Sequence, residues 1–136
     1  MGDDIADANL LDLNGNIKHL SDYLDKYFLL DFWSSGCGPC IMALPEMKEI
    51  SETYSDKLTI ISISIDFDAV WKKAIDKFDT PWVNLRDSKS WSGLAVKYGV
   101  LGIPNYIIIS PEGKIVDKWA GYSPGLLKRK VDENIK

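Results

Sequence analysis

An apolar run, Phe28-Leu29-Leu30-Asp31-Phe32-Trp33, a short turn, Ser34-Ser35-Gly36, and the segment Cys37-Gly38-Pro39-Cys40 follow one another without a break. A hydrophobic run broken by one acid reads as a buried strand, and the turn carries it into a helix that should begin at Cys37. At a helix start, unpaired backbone N–H groups and the positive end of the dipole favour a thiolate over a thiol. The spacing therefore predicts a nucleophilic Cys37, with Cys40 one turn further in and better buried. These are the only two cysteines in the chain.

Cysteines two residues apart also hold zinc, and a closed structural zinc site takes four ligands. The chain has one histidine, His19, in a polar stretch upstream of the motif, so such a site would need a further carboxylate. No metal is expected. Copper delivery would want a wider cysteine spacing and a histidine later in the chain. A permanent structural disulfide is the remaining bland reading of the pair. Redox exchange between dithiols accounts best for the cysteine spacing and the adjoining strand-to-helix pattern together.

The chain has 136 residues, 46% of them hydrophobic, which suffices for one core and leaves no room for a second domain of ordinary size. Residues 1–8 read as a flexible polar lead-in and residues 9–136 as the domain. A net charge of −4 with scattered lysines argues against a nucleic-acid surface. No window is apolar for long enough to cross a bilayer, and the acidic Met1-Gly2-Asp3-Asp4 is unlike a signal peptide. An export signal or membrane tether outside this sequence is compatible with that start.

Leu10 to Ile17 reads as a hairpin around Asn14-Gly15, and Ser21 as the cap of a helical turn that leads into the apolar strand. The helix from Cys37 to about Tyr54 carries an apolar stripe of Ile41, Leu44, Met47 and Ile50, and Pro45 should kink it. Leu58 to Ile65 is a central parallel strand ending at Asp66. Asp68 to Phe78 is a helix whose Val70, Trp71, Ala74, Ile75 and Phe78 should face the sheet. Trp82 to Leu85 makes a short strand. Ser90 should cap a helix that runs to Tyr98 and stops at Gly99. Asn105 to Ser110 and Ile115 to Ala120 pair through the turn Pro111-Glu112-Gly113-Lys114, and Pro124 opens a last helix with Leu127, Val131 and Ile135 on one face. The fold class is α/β: a mixed sheet between helices, three layers around one core.

Leu29-Leu30-Asp31-Phe32-Trp33, Cys37-Gly38-Pro39-Cys40, Pro45 and Gly102-Ile103-Pro104 together resemble the thioredoxin superfamily over nearly the whole chain. The N-terminal hairpin at Leu13-Asn14-Gly15, the extra segment from Asp66 to Phe78 and the ending Ser110-Pro111-Glu112-Gly113-Lys114-Ile115-Val116 resemble its TlpA- and ResA-like subgroup. That resemblance implies a thioredoxin-like three-layer sandwich with an N-terminal hairpin. It also implies a protein-disulfide reductase of the periplasm or cell envelope, with a cytoplasmic place left open by the sequence. A monomer without a cofactor is expected, working between a protein disulfide substrate and a dithiol electron donor. Cys37 matches the attacking cysteine, Cys40 the resolving one, Asp31 the buried acid behind it, and Pro104 the proline that follows a cis peptide bond. Gly36 departs from the family, which usually has tryptophan there. Asn105 is a smaller departure, where threonine is common.

As an acid kept inside an apolar strand, Asp31 should carry a raised pKa and take the Cys40 proton. Ile103 and Pro104 should present backbone to an extended substrate, with Trp33, Gly36, Gly38 and Pro39 lining the same place. Asp66 and Asp68 either line the site from the next strand or cap an exposed helix. Nothing in the sequence supplies the threonine and arginine that would activate a peroxide. A thioredoxin-like module that only binds a partner is the non-enzymatic alternative.

Overall fold

Alternation along one strand decides how the molecule is layered. In β3 (Tyr27–Trp33) successive side chains point to opposite sides of the sheet, and nearly all are apolar, so both sides must be covered. Phe28, Leu30 and Phe32 enter one core, with Leu10, Leu20, Ile61, Ile63, Leu85 and Tyr98. Leu29 enters the other, with Ala43, Met47, Ile50, Tyr106 and Val131. Trp33, at the strand's end, packs with Cys40, Trp71 and Ala74.

The computed structural model describes residues 2–135. Among these, β3 pairs in parallel with β4 (Leu58–Ser64), which pairs in parallel with β5 (Val83–Arg86). The β-branched residues of β4 suit this doubly buried position. The hairpin of β1 (Leu10–Leu11) and β2 (Ile17–Lys18) adds to the β5 edge, while β6 (Asn105–Ile109) and β7 (Ile115–Ala120) run antiparallel beyond β3. The order is β2-β1-β5-β4-β3-β6-β7. Helices α1 (Gly38–Met42), α2 (Leu44–Thr53), α3 (Asp68–Lys77) and α5 (Leu126–Asn134) contribute to the cores on the Leu29 and Trp33 side. The short α4 (Leu94–Lys97) covers the opposite face with Leu94 and Ala95. This is the mixed three-layer sandwich expected from the pattern.

The expected kink takes the form of a break between α1 and α2 at Ala43, two residues before Pro45, whose ring nitrogen has no hydrogen to donate. Three local expectations need correction. Ser21 does not cap its turn: the 3-10 turn Leu20–Tyr23 starts from His19, and the Asp7 carboxylate accepts from Leu20 N and Ser21 N at 2.7 and 3.1 Å. Ser90 does not cap a continuous helix either. Its hydroxyl donates to the Ile65 carbonyl at 2.7 Å, and the helix is split at Gly93, where Asp87 caps Leu94 N at 2.7 Å. A Cβ on Gly93 would run into that carboxylate, so a larger residue there would have to displace the cap. Val70 does not face the sheet; it is 44% exposed, while Trp71 and Ala74 take the inward positions of α3.

Residues 2–8, expected as a flexible lead-in, lie along the body in the structure. Ile5 N donates to Gly113 O, and the Tyr98 hydroxyl both accepts from Ala6 N and donates to Ala6 O. No helix of the described residues is long and apolar enough to cross a membrane.

Candidate active site

Three parallel strands end at one edge of the sheet, and β6 starts there because it runs the other way. The turn after β3, the segment after β4 and the Gly102-Ile103-Pro104 segment before β6 therefore converge. Cys37 stands at this edge as the N-cap of α1, with extended backbone (φ −95°, ψ 104°), so the helix proper begins one residue later than expected. Its Sγ accepts the backbone N–H of Cys40 at 3.2 Å. Sulfur thus occupies the place that a Ser or Asp oxygen takes in an ordinary N-cap, where negative charge is welcome. Cys37 and Cys40 are joined in a disulfide, with Cα atoms 5.2 Å apart. Cys40 is 3% exposed and Cys37 is half-buried, the predicted asymmetry.

Gly36, Gly38 and Pro39 form the exposed tip around the pair. Gly36, which stands where tryptophan is usual, has open space where a Cβ would project and no positive φ. The Ile103-Pro104 bond is cis, and Ile103 packs beside Cys37 and Cys40 in the Trp33 core. Pro104 itself is buried, which leaves Ile103 as the more accessible member of this segment. Trp33 is 2% exposed, so it supports the motif from beneath and offers no surface to a bound chain.

Asp31 lies between Leu29 and Trp33 on the same side of β3, the side on which Ala43, Met47 and Cys40 pack. It is 3% exposed, and burial pushes its carboxyl up from 3.8 to about 7; a hydrogen bond from Ser62 works in the opposite direction. Asp66 is not a helix cap: its carboxylate accepts from Ser35 N at 2.8 Å and so ties the end of β4 to the turn before Cys37. Asp68 is turned away to Lys72 and Arg86, at 3.0 and 3.7 Å. Sequence reasoning passed over Ser62, whose hydroxyl donates to Asp31 at 2.8 Å, and Trp82, whose indole N–H donates to Ser62 at 2.8 Å. The available signal was faint: Ser62 is a polar position in an apolar strand, and only the β3–β4 register shows that it sits beside Asp31.

Residues 1–118 match the model of the AhpC/TSA family. The chain belongs to that family. Within it the chain is TlpA/ResA-like: it is 27% identical to the thiol-disulfide oxidoreductase ResA of Bacillus thuringiensis over 139 aligned positions, which cover 100% of this chain and 77% of the relative. The thioredoxin domain of a thiol-disulfide oxidoreductase from Bacteroides vulgatus superposes with a TM-score of 0.89 at 30% identity, covering 99% of this chain and 97% of that one. The exposed lipoprotein thioredoxin of Streptococcus pneumoniae gives a TM-score of 0.78 at 28% identity, over 94% and 99% of the two chains. The family's thioredoxin-like fold is the one built above from the strand pattern.

Proposed function

We propose that this chain is a thiol-disulfide oxidoreductase that reduces disulfides in protein substrates through reversible oxidation of Cys37 and Cys40. The observation that carries this is the N-cap sulfur of Cys37 with a buried partner cysteine bonded to it. The Cys37 thiolate attacks one sulfur of the substrate disulfide, forming a mixed disulfide and releasing the other substrate sulfur as a thiolate. Cys40 then loses its proton to the Asp31 carboxylate and attacks Cys37 Sγ. The Cys37–Cys40 disulfide forms, the second substrate sulfur leaves, and two electrons have passed to the substrate. A dithiol donor reverses the exchange to regenerate the pair.

An acid poised near neutrality suits proton transfer with a thiol, and Asp31 meets that condition through burial. Ile103, Gly36, Gly38 and Pro39 contact the substrate chain around the attacking sulfur. The uncharged Gly38-Pro39 pair supports a reducing poise, because it offers nothing that would specially stabilise the reduced thiolate. Work outside the cytoplasm, as a tethered monomer, is supported by the TlpA- and ResA-like resemblance and by similarity to a protein described as an exposed lipoprotein.

Turnover on a reducible protein disulfide tests the reading. Wild type should turn over, Cys37→Ser should be inactive at the first step, and Cys40→Ser should stall as a mixed disulfide visible by mass on non-reducing gels. Absence of turnover in the wild-type protein with both thiols reduced would leave only a binding module.

A further inference from the structure

The buried acid is held from the side by an ordered pair of donors. Asp31 and Ser62 are register partners on β3 and β4, and Ser62 Oγ donates to Asp31 Oδ2 at 2.8 Å. Trp82, half-buried just before β5, donates its indole N–H to the same Ser62 oxygen at 2.8 Å. A serine hydroxyl has one proton, and an indole N–H can only donate. With Trp82 filling an acceptor position on Ser62, the serine proton is directed at Asp31. While Asp31 is ionised and can only accept, the direction Trp82 to Ser62 to Asp31 is thus set by the donor inventory, and each bond polarises the next.

We infer that Trp82 and Ser62 are positioning residues that set how readily Asp31 takes up a proton: they favour its carboxylate against the burial that opposes it. The consequence for turnover rests on the reading that Asp31 accepts the Cys40 proton. The surroundings leave the pair little competition. From β6 the group opposite Asp31 is the buried Tyr106 phenol, which burial pushes above its ordinary range. On the helix side, Cys40 packs against Trp33, two residues along β3 from Asp31, and its disulfide removes it from titration. Among the described residues no Lys, Arg or His forms an ion pair with Asp31, and its named influences are burial and Ser62.

The test is a direct titration of the Asp31 side-chain carboxyl by carbon NMR in the oxidised full chain, where the bonded cysteines do not titrate. Loss of a hydrogen bond to a buried carboxylate should move the Asp31 midpoint up by about one to two pH units in Ser62→Ala. Ser62→Thr, which keeps the hydroxyl, should stay near wild type. Trp82→Phe should give a smaller rise of about half a unit, because Ser62 is then free to turn. An unmoved midpoint in Trp82→Phe, or in a folded Ser62→Ala, overturns the inference. Trp82→Phe keeps the test decisive if Ser62→Ala fails to fold. The pH profile of the resolving step, measured in single turnover, separates the two readings. If it follows the Asp31 midpoint, both stand; if the midpoint moves and the profile does not, the donor chain stands and the proton-transfer role of Asp31 falls.

Discussion

At Gly36 the chain lacks the aromatic side chain usual in its family, yet the backbone and the space around it would accept one. Gly36→Trp should therefore fold with stability within about 0.5 kcal/mol of wild type, as surface substitutions usually do. It should change the KM for protein disulfides more than kcat, because it adds contact area beside Cys37 without touching the sulfurs. Steady-state kinetics with a denaturant titration check both statements. Asp31 makes a second prediction. Its carboxyl titrates at 3.8 in an ordinary setting and at about 7 when buried, so between those values the folded chain holds more protons than the unfolded one. Stability from this group accordingly falls as pH rises through that window and levels off above about 7. At about 1.36 kcal/mol per pH unit the decline is on the order of 4 kcal/mol. Urea unfolding of the oxidised protein at pH 4.5 and pH 8 should show about 3 kcal/mol of that loss in wild type and not in Asp31→Asn.

The elements depend on caps supplied from elsewhere in the chain. Helix α5 begins after Gly125, which is in the left-handed region and has no side chain to offer. Glu46 of α2 provides the acceptor instead: its two oxygens take Gly125 N at 2.8 Å, the Tyr122 hydroxyl at 3.0 Å and Lys128 N at 3.0 Å. A carboxylate there satisfies orphan N–H groups and complements the helix dipole. Glu46→Ala should destabilise the fold by about 2 kcal/mol and speed amide exchange along α5 before the rest of the molecule. Uniform exchange in that variant would show that α5 is held by Leu127 and Val131 alone. The periodicity of Leu127, Val131 and Ile135 was legible in the sequence because a helix face repeats locally. The identity of its cap was not, because Glu46 lies some eighty residues away and looks like any surface glutamate. The misplaced caps at Ser21 and Ser90 differ in that the true acceptors, Asp7 and Asp87, lie upstream of them in the same stretch of chain, outside the usual cap spacing.

Across the whole molecule, the N-terminal residues connect parts that are remote in sequence. Asp7 caps the turn before β3, its carbonyl accepts from Lys97, and Ala6 meets Tyr98, which shares one core with Leu20 of that turn. Asp7→Ala should cost about 1 kcal/mol and raise amide exchange at Leu20 and Ser21. Unchanged exchange at those two amides would mean the cap carries no stability. The order of strands and helices, the kink near Pro45 and the pairing of Cys37 with Cys40 could all be read from neighbouring residues, because hydrophobic period, proline's missing donor and a two-residue cysteine spacing are local properties. Which groups face Asp31, which carboxylate holds the Cys37 turn, and that Trp33 lies under the site rather than on it were decided by strand register and layer packing. Those contacts join residues tens of positions apart, and nothing in a one-dimensional pattern states which two strands will lie side by side.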